Sequence, residues 1–421
     1  MKFSIPLLAT VALAAAECSV ENNVYYCLPT KKVVFTNVGF SGSYNKVTLM
    51  NSQLGQCSLQ PYSFLGTLAP VDEELSVHFR GPINVKQFGV YYPSLGAQQQ
   101  KREEDCQTRH VHHKHKRATT EVVITRTIIV DGQQTPVAAT ETFNEDENLA
   151  GVQKAYRPDI LTKSAPTTTL AGPQPSAAQA GDWTRVSYYQ PGTGNNVTFL
   201  NHFGGQGSGV WDSVFGNSLS YCNHDASGGL LSPVVLDDVT IGSNKEYMIM
   251  SGEKCDELCG YCRDGTVAYK GWAGTEKIFV FEFLMPHEGD KNSFNGDMPA
   301  VWMLNAQIPS TLQYGKKECS CWSTGCGELD LFEVLLGGSD KMIAHLHTSQ
   351  GAPAGTNYGG GGSQDYFNRP TDGTMKAAVI FHDDQIHIQQ LDDSTTFGDN
   401  LSADTVNQWL AQAGSQAAIG Y

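Results

Sequence analysis

Basic residues are scarce in this sequence. Its 421 residues include 28 Lys and Arg against 43 Asp and Glu, so the formal net charge is −15. A protein that binds a phosphate backbone would work against this charge, and we therefore expect no nucleic-acid partner. Long apolar runs are missing as well. After residue 16 none approaches the roughly 18 residues of a membrane-spanning helix, which predicts no membrane partner.

Helix signals are also few, and this favours an all-β protein. One plausible helix stands near residues 403–413, whereas 43 glycines and an aromatic content of 10% suit short strands joined by frequent turns. Hydrophobic residues make up 40% of the chain. That content excludes wholesale disorder and is enough for one large core and for two domains.

The first sixteen residues have the pattern of a secretory signal peptide. Lys2 is followed by an apolar run at 5–13 and by three alanines at 14–16. We therefore expect a secreted, extracellular protein. Glycosylation motifs at Asn196 (NVT) and Asn400 (NLS) fit the same compartment, although patterns this short also occur by chance.

The eleven cysteines are interpreted as disulfides, because thiols pair in the oxidising secretory route. The segment CDELCGYC at 255–262 has a spacing that could also hold a metal ion, but secretion favours disulfides there. An odd total leaves one thiol free or paired with another chain. Four cysteines precede the basic run near residue 115 and seven follow it: Cys18, Cys27, Cys57 and Cys106, then Cys222, Cys255, Cys259, Cys262, Cys319, Cys321 and Cys326.

Composition divides the chain into four segments. Residues 1–16 are the signal peptide, and residues 17–97, with short alternating apolar and polar runs, predict a small β-rich module. Residues 98–180 are rich in Gln, Thr, Pro and Ala and predict a linker. Residues 181–421 hold eight or more strand candidates with Gly-rich connections, which predicts a two-sheet β-sandwich.

The linker carries features of its own. Lys101-Arg102 and Lys116-Arg117 are dibasic pairs that a Lys-Arg-specific secretory endoprotease could cut. A cut after Arg117 would release the N-terminal module unless a disulfide crosses it. The stretch TTEVVITRTIIV at 119–130 has the composition of a strand. Neighbouring histidines could alternatively share copper or zinc, although a basic processing site is the favoured interpretation: His110, His112, His113 and His115.

The segment CGELDLFEVLLG at 326–337 places three carboxylates in an apolar strand, where burial without a purpose is costly. Side chains alternate along a strand, so Glu328 and Asp330 share a face from which Glu333 points away. One β-bulge between Asp330 and Glu333 returns Glu333 to that face. The two glutamates would then lie about 5 to 5.5 Å apart, the separation of a retaining glycosidase. The alternative is a structural strand in which Glu333 faces solvent and Glu328 pairs with a lysine.

Three consecutive blocks resemble glycoside hydrolase family 16, the laminarinase-like enzymes on a concanavalin-like jelly-roll β-sandwich. They are MPAVWMLN at 298–305, ELDLFEVLLG at 328–337 and AHLHTSQG at 344–351. Two further blocks, NVGFSGSYNKV at 37–47 and LAPVDEELSVHFRGPINVKQFGVY at 68–91, resemble the N-terminal module of the fungal target-of-SBF-like cell-wall glycosyl hydrolases. That family joins such a module to a family-16-like catalytic domain, so the resemblance covers all but the linker.

The resemblance implies roles for the acidic residues. Glu328 matches the catalytic nucleophile and Glu333 the general acid/base. Asp330 matches the assisting residue between them. A middle carboxyl group of this kind can share a proton with the nucleophile.

The resemblance also implies substrate-binding residues. Trp302 matches a tryptophan that lies against the sugar, although its strand is equally compatible with a core position. His347 falls where a histidine often contacts a carboxylate or sugar hydroxyl, and His345 has the same strand parity; either could instead be a core histidine. Trp322 and Trp272 are weaker candidates for sugar platforms, since both also suit packing.

The implied function is that of a retaining endo-β-1,3-glucanase that remodels fungal cell-wall β-glucan without a cofactor or metal. Two alternatives stay open: a β-glucan transglycosylase, in which a sugar hydroxyl replaces water, and a non-catalytic glucan-binding wall protein. The sequence departs from the family pattern at a cysteine cluster leading into the catalytic strand, which we expect to brace the site. It also departs at Met298, where a tryptophan is common, and this leaves the preferred glucan open.

Overall fold

The computed structural model describes residues 18–21, 24–94, 120–130, 133–143 and 181–419. The chain folds into two compact units, Met1–Ser94 with Ser176–Tyr421 and Leu95–Pro175. The predicted signal peptide, both dibasic pairs, the histidine cluster and Cys106 lie outside the described residues.

Strands dominate the described chain. Up to residue 143 they are β1 (Ser19–Glu21), β2 (Val24–Tyr26), β3 (Lys32–Thr36), β4 (Gly42–Asn51), β5 (Gln56–Phe64), β6 (Leu75–Arg80), β7 (Ile83–Pro93), β8 (Thr120–Val130) and β9 (Gln133–Phe143). From residue 181 to 260 they are β10 (Trp183–Gln190), β11 (Thr193–Asn195), β12 (Val197–Asn201), β13 (Trp211–Asp212), β14 (Gly216–Asn217), β15 (Ser220–Cys222), β16 (Gly229–Leu230), β17 (Thr240–Ile241) and β18 (Glu246–Ser251). After residue 260 they are β19 (Lys277–Leu284), β20 (Ala300–Asn305), β21 (Glu328–Glu333), β22 (Lys341–Thr348), β23 (Gly359–Gly362), β24 (Phe367–Asn368), β25 (Met375–His382), β26 (Gln385–Gln390), β27 (Asn400–Leu401) and β28 (Ser415–Ala418).

Two large sheets form the larger unit, and the all-β sandwich expected from the sequence is confirmed. The back sheet has the order β11-β10-β7-β19-β25-β26-β3-β28, with β17 beside β7 and β27 beside β10. The front sheet has the order β16-β15-β12-β18-β6-β20-β21-β22-β23, with β24 beside β22. Neighbouring strands are antiparallel except β28, which runs parallel to β3.

Strand periodicity explains which side of the front sheet is buried. Val77 and Phe79 of β6 point into the core between the sheets, as do Val301 and Met303 of β20. Ring contacts join the two sheets there. The ring centroids of Phe79 and Phe281 are 6.4 Å apart, and those of Phe283 and Phe332 are 5.3 Å apart. Because side chains alternate, the polar residues of the same strands are placed on the opposite, front face.

Residues 17–97 do not form a module of their own, although the chain does pass from the larger unit to the smaller one after Ser94. β6 lies between β18 and β20 in the front sheet, and β7 lies between β10 and β19 in the back sheet. This corrects the expectation of a separate module over 17–97. Alternating residues show where a strand forms but not which strand it pairs with, so the local pattern looked self-contained.

The two ends of the long intervening segment meet side by side. Pro93 at the end of β7 is opposite Trp183 at the start of β10, and the Ser94 amide donates to the Asp182 carbonyl at 2.7 Å. The segment is thus inserted between two adjacent antiparallel strands. Within it, β8 and β9 form an antiparallel hairpin in which Thr120 is opposite Phe143, so the strand-like composition noted at 119–130 does correspond to a strand.

Helices are short: α1 (Gln307–Thr311), α2 (Ala403–Ala411), and 3₁₀ turns at Glu257–Cys259, Lys317–Cys319 and Cys321–Thr324. α2 confirms the single helix predicted near 403–413. It begins after Ser402, whose hydroxyl accepts from the Thr405 amide, and it covers the outside of the back sheet with Val406 and Trp409. In the described part of the chain, no helix has the length and apolar content needed to cross a membrane.

Within the described ranges, four disulfides confirm the preference for pairing over metal binding at the cysteines. They are Cys18–Cys27, Cys57–Cys319, Cys255–Cys259 and Cys321–Cys326. The first and second cysteines of CDELCGYC bond to each other, which excludes a site of three thiolates there. Cys222 and Cys262 carry free thiols. Cys57–Cys319 joins the β4–β5 hairpin to the 3₁₀ turn at Lys317–Cys319.

A buried ion pair fixes the loop that enters β20. The guanidinium of Arg369 donates to Asp297 at 2.5 Å and to the carbonyls of Met285, Pro286 and Ser339. Neither charged side chain is exposed to solvent. Since Met298 follows Asp297 directly, this cluster positions the first residue of the block that leads to Trp302.

We expect Arg369→Met to lower the free energy of unfolding by about 3 to 5 kcal/mol, because it takes the guanidinium from the buried Asp297 carboxylate and leaves that carboxylate with the partly exposed His287 ring, at 2.9 Å, as its ionisable partner. Urea unfolding followed by tryptophan fluorescence would measure the loss. The double variant Arg369→Met, Asp297→Asn should recover part of it, since the uncompensated charge is gone. A loss below about 1 kcal/mol, typical of an exposed ion pair, would contradict this account.

Candidate active site

The three acidic residues of β21 share the front face of the front sheet. Toward β20, Asp330 is opposite Trp302 and Phe332 is opposite Val301, which leaves Leu331 as the extra residue of a bulge. Toward β22, the register shifts between Asp330 and Glu333. The predicted bulge is confirmed. Leu331 and Phe332 both enter the core, and Glu333 returns to the side of Glu328 and Asp330.

The bulge also sets the spacing of the two glutamates. Glu328 is opposite Leu304 and Glu333 is opposite Ala300, four residues apart on β20. At about 3.3 Å per residue, their backbones are roughly 13 Å apart. Glutamate side chains that lean toward each other from this distance can flank a single glycosidic bond.

Asp330 is the most enclosed of the three carboxyl groups. Its Oδ2 lies 3.0 Å from Nε2 of His347, on the neighbouring strand β22. Burial, and after it the charge of Glu333, raises the pKa of Asp330 well above its usual range. The protonated form of this carboxyl group is therefore favoured over the charged form.

Glu328 is held by an indole. Nε1 of Trp322 donates a hydrogen bond to Oε2 of Glu328. Burial, followed by the charge of Asp330, raises the pKa of Glu328 to about 8. Trp322 lies in the 3₁₀ turn Cys321–Thr324, which the Cys321–Cys326 disulfide closes immediately before β21. The cysteine cluster therefore braces the residue that orients Glu328, as expected from its position.

Glu333 faces an arginine that sequence reasoning missed. Nη2 of Arg80 lies 3.3 Å from Oε1 of Glu333, and Nε of Arg80 donates to the Met298 carbonyl at 2.8 Å. The alternation in LSVHFRG places Arg80 on a single face with His78. That pattern could have marked both residues as polar members of a strand, but not as neighbours of β20.

Trp302 lies on the front face but is largely covered. It is only 5% exposed, and its ring stacks on His78 with centroids 5.1 Å apart. His78 is buried and bonded to the Ser76 hydroxyl at 2.8 Å, and burial lowers its pKa well below the usual range. Trp302 thus leaves little free surface for a sugar, in contrast to the role implied by the resemblance.

The two histidines of β22 lie together beside the acidic residues. Their rings stack with centroids 4.2 Å apart. His345 is opposite Asp330 and His347 is opposite Glu328. Burial, and then His347, lowers the pKa of His345 to about 4, so His345 is neutral near pH 7. The side chain of His347 is 41% exposed, which makes it the more accessible of the pair.

The two other candidate tryptophans, Trp322 and Trp272, differ in exposure and in position. Trp322 is 41% exposed, and its ring centroid lies 6.4 Å from that of Tyr358, so an open aromatic surface stands next to Glu328. Trp272 is buried in the main core and donates from Nε1 to the Ser187 hydroxyl at 3.1 Å. The structure therefore places Trp322, and not Trp272, beside the acidic residues.

Metal ligands are not gathered at these residues. Within the described ranges, one group with metal-ligand geometry stands out, Glu276, His382 and Asp383, whose ligand atoms lie within 4.8 Å of one another. It belongs to the back sheet, since His382 ends β25. The front-face residues offer carboxyl groups, histidines and an arginine suited to proton transfer.

Two family models match the sequence, "Cell wall protein YJL171C/Tos1, C-terminal" over residues 181–409 and its N-terminal counterpart over residues 31–93. This chain belongs to that family. The probable circularly permuted 1,3-β-glucanase TOS1 of Candida albicans is 52% identical, over 100% of both chains. The Saccharomyces cerevisiae protein of that name is 43% identical, over 98% of this chain and 96% of its own. A Schizosaccharomyces pombe probable circularly permuted 1,3-β-glucanase is 38% identical, over 93% of each. No solved structure matches the chain.

Membership in the Tos1 family gives the sheet order a context. The family is described by separate N-terminal and C-terminal models, yet in this chain both matched regions share the two sheets of one sandwich. Arg80 and His78 come from the N-terminal region, and the acidic residues come from the C-terminal region. The candidate site therefore needs both regions of the family.

Proposed function

We propose that this protein is a retaining endo-β-1,3-glucanase of the fungal cell wall. The observation that carries the proposal is the bulge in β21, which brings the carboxyl groups of Glu328, Asp330 and Glu333 to one face. Support also comes from relatives whose names describe probable 1,3-β-glucanases. Secretion, glycosylation and cleavage at the dibasic pairs remain predictions from the sequence.

The chemistry divides into two displacements at the anomeric carbon. Glu328 attacks this carbon while Glu333 gives its proton to the departing glycosidic oxygen, so a glycosyl ester forms and the sugar–oxygen bond breaks. Glu333, now ionised, then takes a proton from water, and the oxygen of that water displaces Glu328. Two inversions leave the anomeric configuration unchanged.

Asp330 makes the nucleophile available. Its raised pKa favours the protonated form of Asp330, and a neutral Asp330 removes the charge that is the second cause of the raised pKa of Glu328. The Trp322 N–H then stabilises the Glu328 carboxylate through a hydrogen bond. The proton held on Asp330 thus lets Glu328 ionise within a crowded group of carboxyl groups.

Sugar contacts are proposed for the exposed members of the site. The open face of Trp322 suits the C–H face of a pyranose ring, and His347 can donate to or accept from a sugar hydroxyl. Trp302 and His345 line the same face at greater depth and shape it through packing. No cofactor or metal enters this mechanism.

The test is reducing-end release from laminarin, a soluble β-1,3-glucan, by the full secreted chain. We expect Glu328→Gln and Glu333→Gln each to lower the rate by about 10² to 10⁴, because Gln keeps the shape but cannot attack or donate a proton in the same way. Glu257→Gln, which changes an exposed glutamate outside β21, is the matched control and should keep the wild-type rate.

Product analysis distinguishes the alternatives. Products longer than the starting oligosaccharide would identify a transglycosylase, since a sugar hydroxyl would then replace water in the second displacement. A folded wild type that binds laminarin, mixed-linkage or β-1,6-glucan but releases no reducing ends from any of them would overturn the enzyme proposal. It would favour a glucan-binding wall protein instead.

A further inference from the structure

Arg80, Ala300 and Glu333 lie in one row across three strands of the front sheet. Arg80 on β6 is opposite Ala300 on β20, and Ala300 is in turn opposite Glu333 on β21. Strands two apart are separated by roughly 9.5 Å. Ala300 has only a methyl group on the shared face, so the long side chains of Arg80 and Glu333 meet above it.

The guanidinium of Arg80 has a fixed orientation. Nη2 contacts Glu333 at 3.3 Å, Nε donates to the Met298 carbonyl, and the group lies 5.9 Å from the ring centre of Trp302. The side chains of Arg80 and Glu333 are only 13% and 19% exposed. Water therefore screens this pair less than an ion pair on the open surface.

Arg80 also has a second acidic neighbour, Glu246, whose carboxylate is bonded to another side chain. Glu246 on β18 is opposite Arg80 on its other side, but the Glu246 carboxylate accepts from the Tyr314 hydroxyl at 2.6 Å. Because the Glu246 carboxylate is already bonded to Tyr314, the Arg80 guanidinium contacts Glu333 instead. Glu333, the proposed general acid/base, is therefore the partner of Arg80.

Charged groups of both signs lie near Glu333. Asp330 lies on the same strand, and Tyr26 of β2 is close enough for Glu333 to contribute to the raised pKa of its hydroxyl. Lys341 of β22 lies 4.8 Å from the centre of the Tyr26 ring, but its ammonium group pairs with Glu21 at 2.7 Å. On β22 the residue opposite Glu333 is Ile343, which has no charge. Among the described residues, Arg80 is therefore the cation that pairs with this carboxyl group.

We propose that Arg80 is a positioning residue for Glu333, whose carboxyl group it aims at the glycosidic oxygen. This inference rests on the proposed function, because it assumes that Glu333 transfers the proton. It extends that function to the N-terminal part of the chain, which supplies a residue that acts through the acid/base without touching the reacting atoms.

The test compares Arg80→Met and Arg80→Lys in the full secreted chain, with kcat and KM measured on laminarin. We expect Arg80→Met to lower kcat about tenfold or more with little change in KM, because the Glu333 carboxyl group loses the contact that fixes its direction. Arg80→Lys keeps a cation within reach of Glu333 and should recover part of the lost kcat.

Arg185→Met is the matched control, because Arg185 pairs with Asp399 on the back sheet; its kcat and KM should match those of the wild type. Thermal melting checks that each variant is folded, and Arg80→Gln replaces Arg80→Met if the latter is not. An unchanged kcat in a folded Arg80→Met variant, or a loss that appears in KM alone, would overturn the inference while leaving the glucanase intact. An inactive wild type would overturn both.

Discussion

A chain shortened to residues 181–421 is expected to be unfolded or insoluble, and inactive on glucan. The shortened chain lacks β3, β6 and β7. In the intact protein β6 is hydrogen-bonded to β18 on one side and to β20 on the other. Its removal would split the front sheet beside the strand that pairs with β21, and the removal of β7 would split the back sheet in the same way.

The lost core packing exceeds what the fold can tolerate. Burying one large aliphatic or aromatic side chain contributes about 1.5 to 3 kcal/mol, so eight of them contribute roughly 12 to 24 kcal/mol. A domain has a net stability of about 5 to 15 kcal/mol. The deleted segment supplies these eight side chains to the main core: Val33, Phe35, Val77, Phe79, Ile83, Val85, Phe88 and Val90.

Circular dichroism and thermal melting would compare the folding of the shortened chain with that of residues 17–421. The matched control keeps the strands before Ser94 and removes only the segment that follows it. A short Gly-containing turn would replace residues 95–181, because Ser94 and Asp182 already lie side by side at the ends of β7 and β10. We expect this control to fold and to degrade laminarin. A cooperative melting transition in 181–421 alone would show that our account of the sheets is wrong.

Replacing each glutamate of the site with Ala, and adding azide, is expected to give glycosyl azides of opposite configuration. The experiment addresses a tension in the site. The raised pKa of Glu328 favours a protonated group, which taken alone would suit the acid/base role. The raised pKa of Asp330 and the Trp322 hydrogen bond favour the assignment of Glu328 as nucleophile.

Glu328→Ala leaves a space at the nucleophile position. Azide placed there attacks the anomeric carbon of an aryl β-glycoside of a laminari-oligosaccharide, the aryloxy group departs with the proton of Glu333, and an α-glycosyl azide forms. In Glu333→Ala the first displacement still proceeds when the leaving group is a good one, such as dinitrophenolate. Azide then displaces Glu328 and gives the β-glycosyl azide.

Nuclear magnetic resonance of the anomeric proton distinguishes the two products. Without azide, we expect the activity of both variants to fall by a factor of about 10² to 10⁴. With azide, we expect each variant to regain part of the lost activity. A β-azide from Glu328→Ala together with an α-azide from Glu333→Ala would reverse the roles. Arg80 would then be the partner of the nucleophile.

Part of the site could be predicted from the sequence because the interactions that place those residues lie within one short segment of the chain. Three carboxylates in an apolar strand could share a face only through an extra residue, and Leu331 is that residue. The helix after Ser402 was likewise visible in its own residues. Arg80 was not, since its importance depends on β6 pairing with β20. The Cys57–Cys319 bond also depends on such a contact, between segments that the cysteine count alone cannot connect.

The order of synthesis differs from the order in which the strands pair. β3, β6 and β7 leave the ribosome first, yet Val34 of β3 pairs with His387 of β26 and Arg80 of β6 pairs with Glu246 of β18. At about 5 to 20 residues per second, the earliest strand waits on the order of tens of seconds for its partner. During that time its apolar face is exposed in the nascent chain. Folding of this sandwich is thus a late event, completed when β28 emerges and closes the edge beside β3, and until then β3 and β6 lack strands with which they pair in the folded protein.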